Sequence, residues 1–213
     1  MRRFLLDVDS QYDPEIDPKT GIFRNRLGLS DPAELARFEY MATTIRLRQL
    51  ASRPVAGNFD QAHLCQIHGF IFQDVYDWAG QLRTVETSSR APFAKPEFIA
   101  SSLDELLCDI RQQFPSTLPR RQLVDQLAWL YGELNAVHPS REGNGRAHCQ
   151  FITDVARLTG WDIRWSQVTQ QELDAAAIHA MGREYALLSV LLNAITYPRE
   201  NPDKGSEAVI QRT

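Results

Sequence analysis

HPSREGNGRAH, residues 138–148, interrupts a chain whose apolar residues otherwise recur at helical spacing. Just upstream, Leu123, Leu127, Leu130 and Leu134 step by three and four positions, which predicts an amphipathic helix over 120–137 that points into His138. Just downstream, Gly143-Asn144-Gly145-Arg146 opens a second helix over 144–159, with Gly160 placed to end it. Glycines at a helix N-terminus leave backbone N–H groups free to approach a phosphate, with the positive end of the helix dipole behind them. A first-turn cation is disfavoured by that dipole, so Arg146 is best explained by an anion that it binds. Glu142 would repel such an anion unless a Mg²⁺ ion bridged the two charges. His138 stands where a neutral imidazole could take a proton from an attacking hydroxyl. A lone histidine at a helix end is more often structural than catalytic. With the glycine run behind it, the set spells nucleotidyl or phosphoryl transfer.

The same periodicity predicts further helices over 30–52, with Ser30 as N-cap and Leu35, Phe38, Met41, Ile45 and Leu47 facing inward, and over 60–75. Others are expected over 97–113, 170–180 and 183–197. Between the second and third lies DWAGQLRTVETSSRAPFAKPEF, residues 77–98, where Thr84 and Val85 suit a strand, Ser88 a turn, and Pro92 and Pro96 break any helix. The expected fold is all-α with one short exposed β-hairpin, in three parts: an extended lead-in over 1–29, the helical domain over 30–197 and a polar tail over 198–213.

Composition narrows the partners. The net charge of −4 lacks the basic excess that drives binding to a nucleic-acid backbone, and no apolar run is long enough to cross a bilayer. Three scattered cysteines, Cys65, Cys108 and Cys149, argue against a disulfide framework and for a reducing cytoplasm. His63-x-Cys65-x-x-His68 invites a zinc reading, but His63 and Cys65 diverge on a helix and a fourth ligand is lacking. His148 and Cys149 diverge too far to form a thiol–imidazole pair.

HPSREGNGR resembles the signature of the Fic (filamentation induced by cAMP) domain family, His-x-Phe-x-(Asp/Glu)-Gly-Asn-Gly-Arg-x-x-Arg. IFQDVYDWAGQLRTV and PFAKPEFI are similar to that family's segment leading into its flap hairpin, and GIFRNRLGL to the lead-in of its stand-alone bacterial toxin members. The resemblance implies a Fic-type helical bundle and a protein adenylyltransferase that moves AMP from ATP, with Mg²⁺, onto a Ser, Thr or Tyr hydroxyl of a target protein. It makes His138 the general base, Glu142 the metal ligand, and Gly143, Asn144, Gly145 and Arg146 the phosphate cradle. It makes Thr84, Val85, Glu86, Thr87, Ser88, Pro92 and Phe93 the flap that docks the target by backbone pairing. It also implies inhibition by a small antitoxin protein, with action in the bacterial cytoplasm or in a cell into which the protein is delivered.

Two positions depart from that signature. Ser140 replaces the aromatic that anchors the loop, and Cys149 replaces the last arginine; both would weaken the activity. Two alternatives therefore stay open: a degenerate Fic fold that binds nucleotide or partner without turnover, and a transferase of another nucleotide or of phosphate. Thr196-Tyr-Pro-Arg-Glu200-Asn201 loosely fits the family's self-inhibition pattern, with Glu200 as the inhibitory acid.

Overall fold

The computed structural model describes residues 13–87 and 92–199. Among the described residues eight helices form one bundle: α1 (Pro32–Ser52), α2 (Gln61–Phe72), α3 (Pro96–Leu106), α4 (Ile110–Gln113), α5 (Arg120–Val137), α6 (Asn144–Leu158), α7 (Gln170–Met181) and α8 (Ala186–Ile195). Three of the helix starts are closed by a side-chain cap. The Asp31 carboxylate accepts the Glu34 N–H of α1 at 2.8 Å, and Asp60 accepts the His63 N–H of α2 at 2.8 Å. Thr169 and Glu172 close a capping box on α7.

α5 is the axle. Leu123, Leu127, Ala128, Leu130 and Leu134 are wholly buried along it, and α3, α6, α7 and α8 all pack around it. α6 is held between α5 and α2 through Phe151, Ile152, Val155 and Ala156, so the 138–143 loop that joins α5 to α6 opens at one end of the packed layers. That placement is the fold's main service to the site.

Several expectations need adjustment. Asp31, one residue later than Ser30, caps α1. Met41 and Ile45 are exposed, because α1 turns Leu35, Ala42, Thr43 and Leu50 inward and packs on α2 through that face. The helix expected over 97–113 breaks at Asp109, which adopts φ 54°. The last expected helix stops at Ile195, where the chain turns into a strand. That strand, β2 (Thr196–Pro198), pairs antiparallel with β1 (Trp161–Ile163), Asp162 opposite Tyr197. A three-residue strand is too short to leave a periodic signal in the sequence. Among the described residues of 77–98 there is no named strand, only an isolated bridge residue at Pro92. The turn expected around Ser88 lies outside the described residues, as does Glu200.

Candidate active site

His138 is the C-cap of α5 and adopts a left-handed conformation, φ 48° and ψ 63°. Such a backbone is costly for a residue with a side chain, so something must hold it. Phe93 lies flat on the imidazole, ring centroids 3.8 Å apart and planes 10° off parallel. Nδ1 of His138 is buried and makes no hydrogen bond of good geometry among the described residues. Burial, with Arg83 and Arg141 nearby, lowers the ring's pKa to about 3, outweighing the Asn135 backbone, which acts the other way. The imidazole is therefore neutral at any physiological pH.

Arg83 surrounds that residue from behind. Its side chain is almost fully buried, and Nε donates to the His138 carbonyl at 2.7 Å while Nη1 donates to the Val85 carbonyl at 2.9 Å. Nη2 donates to the carbonyls of Val137, at 3.2 Å, and Ala94.

The loop after His138 is laced to α6. The Asn144 carboxamide accepts the Ser140 N–H at 2.8 Å and donates back to the Ser140 carbonyl at 2.6 Å. Asn144 is buried, and its side chain braces the loop. Gly143 has φ 81°, and a Cβ there would lie 2.1 Å from the Phe72 ring, so only glycine fits. A Cβ at Gly145 would meet nothing, which leaves open space at the start of α6.

The charged side chains sort into two groups. Arg141 is spent on Asp13 of the lead-in, at 2.6 Å, and lies over Phe23. Arg146 lies 4.6 Å over the Phe72 ring, donates to Glu39 of α1 at 2.6 Å and to the Thr43 hydroxyl at 3.2 Å. Glu142 accepts the Gly143 N–H at 2.9 Å and sits 3.9 Å from Arg146. Burial, reinforced by Glu39, raises its pKa, against the pull of the Gly143 N–H and of two arginines. Two carboxylates thus share one guanidinium, an arrangement that would welcome a further cation. Among the described residues no group of three His, Cys, Asp or Glu side chains could hold a metal alone.

His68 was weighed in the sequence only as a metal ligand. Its Nε2 donates to the Glu142 carbonyl at 2.9 Å and its Nδ1 accepts the Gly80 N–H at 2.9 Å, so one neutral tautomer ties α2 to both the loop and the segment before the flap. His63 is likewise structural, bonded to the backbone of Phe59 and Val55. His148 is buried edge-on to Tyr131, and neither ring nitrogen has a hydrogen-bond partner among the described residues. Burial lifts the Cys149 thiol to about 12, which leaves it protonated and unreactive. Of the flap residues, Thr84, Glu86 and Pro92 are exposed, Val85 and Thr87 half-buried, and Phe93 is turned to His138. Sequence reasoning missed Arg83, Glu39 and the bracing role of His68.

Comparison with known proteins agrees with this geometry. The Fic/DOC family model matches residues 58–154. Protein adenylyltransferase VbhT of Bartonella schoenbuchensis is 37% identical over 86% of this chain, which spans only 39% of that protein. Probable protein adenylyltransferase y4lH of Sinorhizobium fredii is 32% identical over 87% of this chain and 96% of its own length. The crystal structure of BepC from Bartonella tribocorum, determined with bound AMPPNP, superposes with a TM-score of 0.79 at 24% identity, covering 87% of this chain and 97% of that one. The chain belongs to the Fic/DOC family, and its helical bundle is the Fic fold.

Proposed function

We propose that this chain is a protein adenylyltransferase, transferring AMP from ATP to a Ser, Thr or Tyr hydroxyl of a target protein. The observation that carries the reading is that His138, a neutral imidazole, closes α5 directly ahead of the loop into α6, whose start has open space at Gly145. The backbone N–H groups of that helix start, with Arg146, would bind the phosphates. The target hydroxyl gives its proton to His138 as its oxygen bonds to the α-phosphorus, and pyrophosphate leaves. The negative triphosphate beside the ring favours the imidazolium as it forms, offsetting the low basicity that burial imposes. Mg²⁺ fits at Glu142 if phosphate oxygens complete its shell, the usual mode for this ion, and it would neutralise charge on the phosphates. Exposed Thr84 and Glu86 leave backbone available for a target segment to pair with.

The intact lacing of Ser140 to Asn144 favours an enzyme over a binder without turnover, because the loop is held without the aromatic anchor. A small antitoxin partner and a cytoplasmic site of action belong to the same reading. The three free thiols suit a reducing compartment. Purified protein incubated with lysate and labelled ATP or UTP, beside His138→Ala, tests the proposal. Label transferred from ATP and lost in the variant is the expected result; transfer from UTP alone would move the reading to another nucleotide, and no transfer from either would sink it.

A further inference from the structure

Helix α5 ends with carbonyls that have no partner within the helix. The segment on either side of the flap supplies those partners. The Ala94 N–H donates to the Ala136 carbonyl at 3.0 Å, and the Arg83 N–H donates to the Pro139 carbonyl at 2.9 Å. The Arg83 guanidinium takes the Val137 and His138 carbonyls between them, and with its remaining donors it grips Val85 and Ala94, one on each arm of the flap. Among the described residues no carboxylate pairs with this guanidinium. Among those residues all of its hydrogen bonds go to main-chain oxygens, and a cation at a helix C-terminus is favoured by the dipole.

We propose that Arg83 is a positioning residue that makes the flap part of the cap of α5, so that the pose of His138 depends on the flap being in place. His138 needs such support because its left-handed backbone is intrinsically unfavourable. The carbonyl that Arg83 Nε binds is His138's own, so losing the bond frees the backbone that aims the ring. Phe93, one residue before Ala94, stacks on the same ring, so flap movement reaches the imidazole by two routes. This inference rests on the reading of His138 as the base.

Arg83→Lys is the informative variant, since it keeps the charge but cannot span four carbonyls from three segments. The expected result is a ten- to hundred-fold fall in kcat with ATP affinity within two-fold of the parent. The His138 imidazole resonances should shift, and amide exchange at Ala94 and His138 should quicken together. A parent-like kcat with unmoved His138 resonances would overturn the proposal, as would a parallel loss of kcat and ATP affinity, the mark of a merely structural role. The resonances and exchange rates are read without turnover. If the parent protein transfers nothing, the adenylyltransferase reading fails while these two measurements still decide whether Arg83 positions His138; unmoved signals would reject the coupling by themselves.

Discussion

Glu39 and Arg146 are 107 positions apart in the chain, yet the Arg146 guanidinium donates to the Glu39 carboxylate at 2.6 Å. The arginine proposed to bind phosphate is therefore already engaged by an anion from α1, and on that proposal an incoming nucleotide must share it. Replacing that anion with a neutral acceptor, Glu39→Gln, keeps Arg146 oriented but makes the site more positive. Nucleotide binding should tighten by about five-fold, equivalent to about 1 kcal/mol for a partly exposed pair. Calorimetric titration with a non-hydrolysable ATP analogue checks this; weaker binding would mean that Glu39 serves chiefly to aim the arginine.

Asn144→Ala should be costly. It strips both hydrogen bonds from the buried Ser140 backbone, and leaving two buried groups unpaired costs about 2–4 kcal/mol. Urea unfolding would report it, and transfer should fall with it. A loss below about 1 kcal/mol would show that the loop has other support.

Acid should destabilise the fold early. His138 and His68 have pKa values lowered to about 3 and about 4 by burial, and His148 is lowered well below its ordinary value for the same reason. Each ring is neutral when folded but takes up a proton on unfolding once the pH drops below the ordinary 6.5. Their stabilisation is thus complete above about pH 6.5 and drains away as the pH falls toward 4 and 3, by up to about 1.4 kcal/mol per pH unit for each ring. Glu142 and Asp154, raised by burial, act in the opposite sense nearer the carboxylate range. Urea midpoints at pH 7.5, 6 and 5 should decline in that order; a flat series would contradict neutral burial of the three rings.

Cys149→Ser should leave transfer unchanged, because a thiol pushed up to about 12 supplies no nucleophile. A complete loss of labelling in that variant would reopen covalent chemistry at this position.

Thr196 is part of the packed fold. It is buried, its hydroxyl donates to the Leu192 carbonyl, and its own carbonyl accepts from Arg120 at 3.1 Å. A chain stopped after Ile195 loses β2 and should unfold at a clearly lower temperature. One stopped after Arg199, whose N–H donates to the Gly160 carbonyl at 2.9 Å, keeps β2 and should melt above it. Equal melting of both would show that β2 contributes nothing.

The bundle was legible wherever apolar spacing was long and its ends were chemically marked, as in α5 and α6. β1 and β2 were not, since three residues carry no period. At the site, His138, Glu142 and Gly143 stood out because they are close in sequence and opposed in chemistry. Arg83 and Glu39 did not, because an arginine that binds only carbonyls and a glutamate on a helix face look like ordinary surface charges until the chain is folded. The bracing of Ser140 by the Asn144 side chain was not legible either, because it closes within a loop whose shape the sequence does not give.

Apart from the Phe93 ring on His138, the hold on the described flap residues is to their main chain: Arg83 meets Val85 and Ala94 through their carbonyls, and Ala94 meets Ala136 amide to carbonyl. Nothing in that grip reads side-chain identity on the flap arms. Residues such as Thr84 and Glu86 can therefore be exchanged without disturbing the contacts that hold His138.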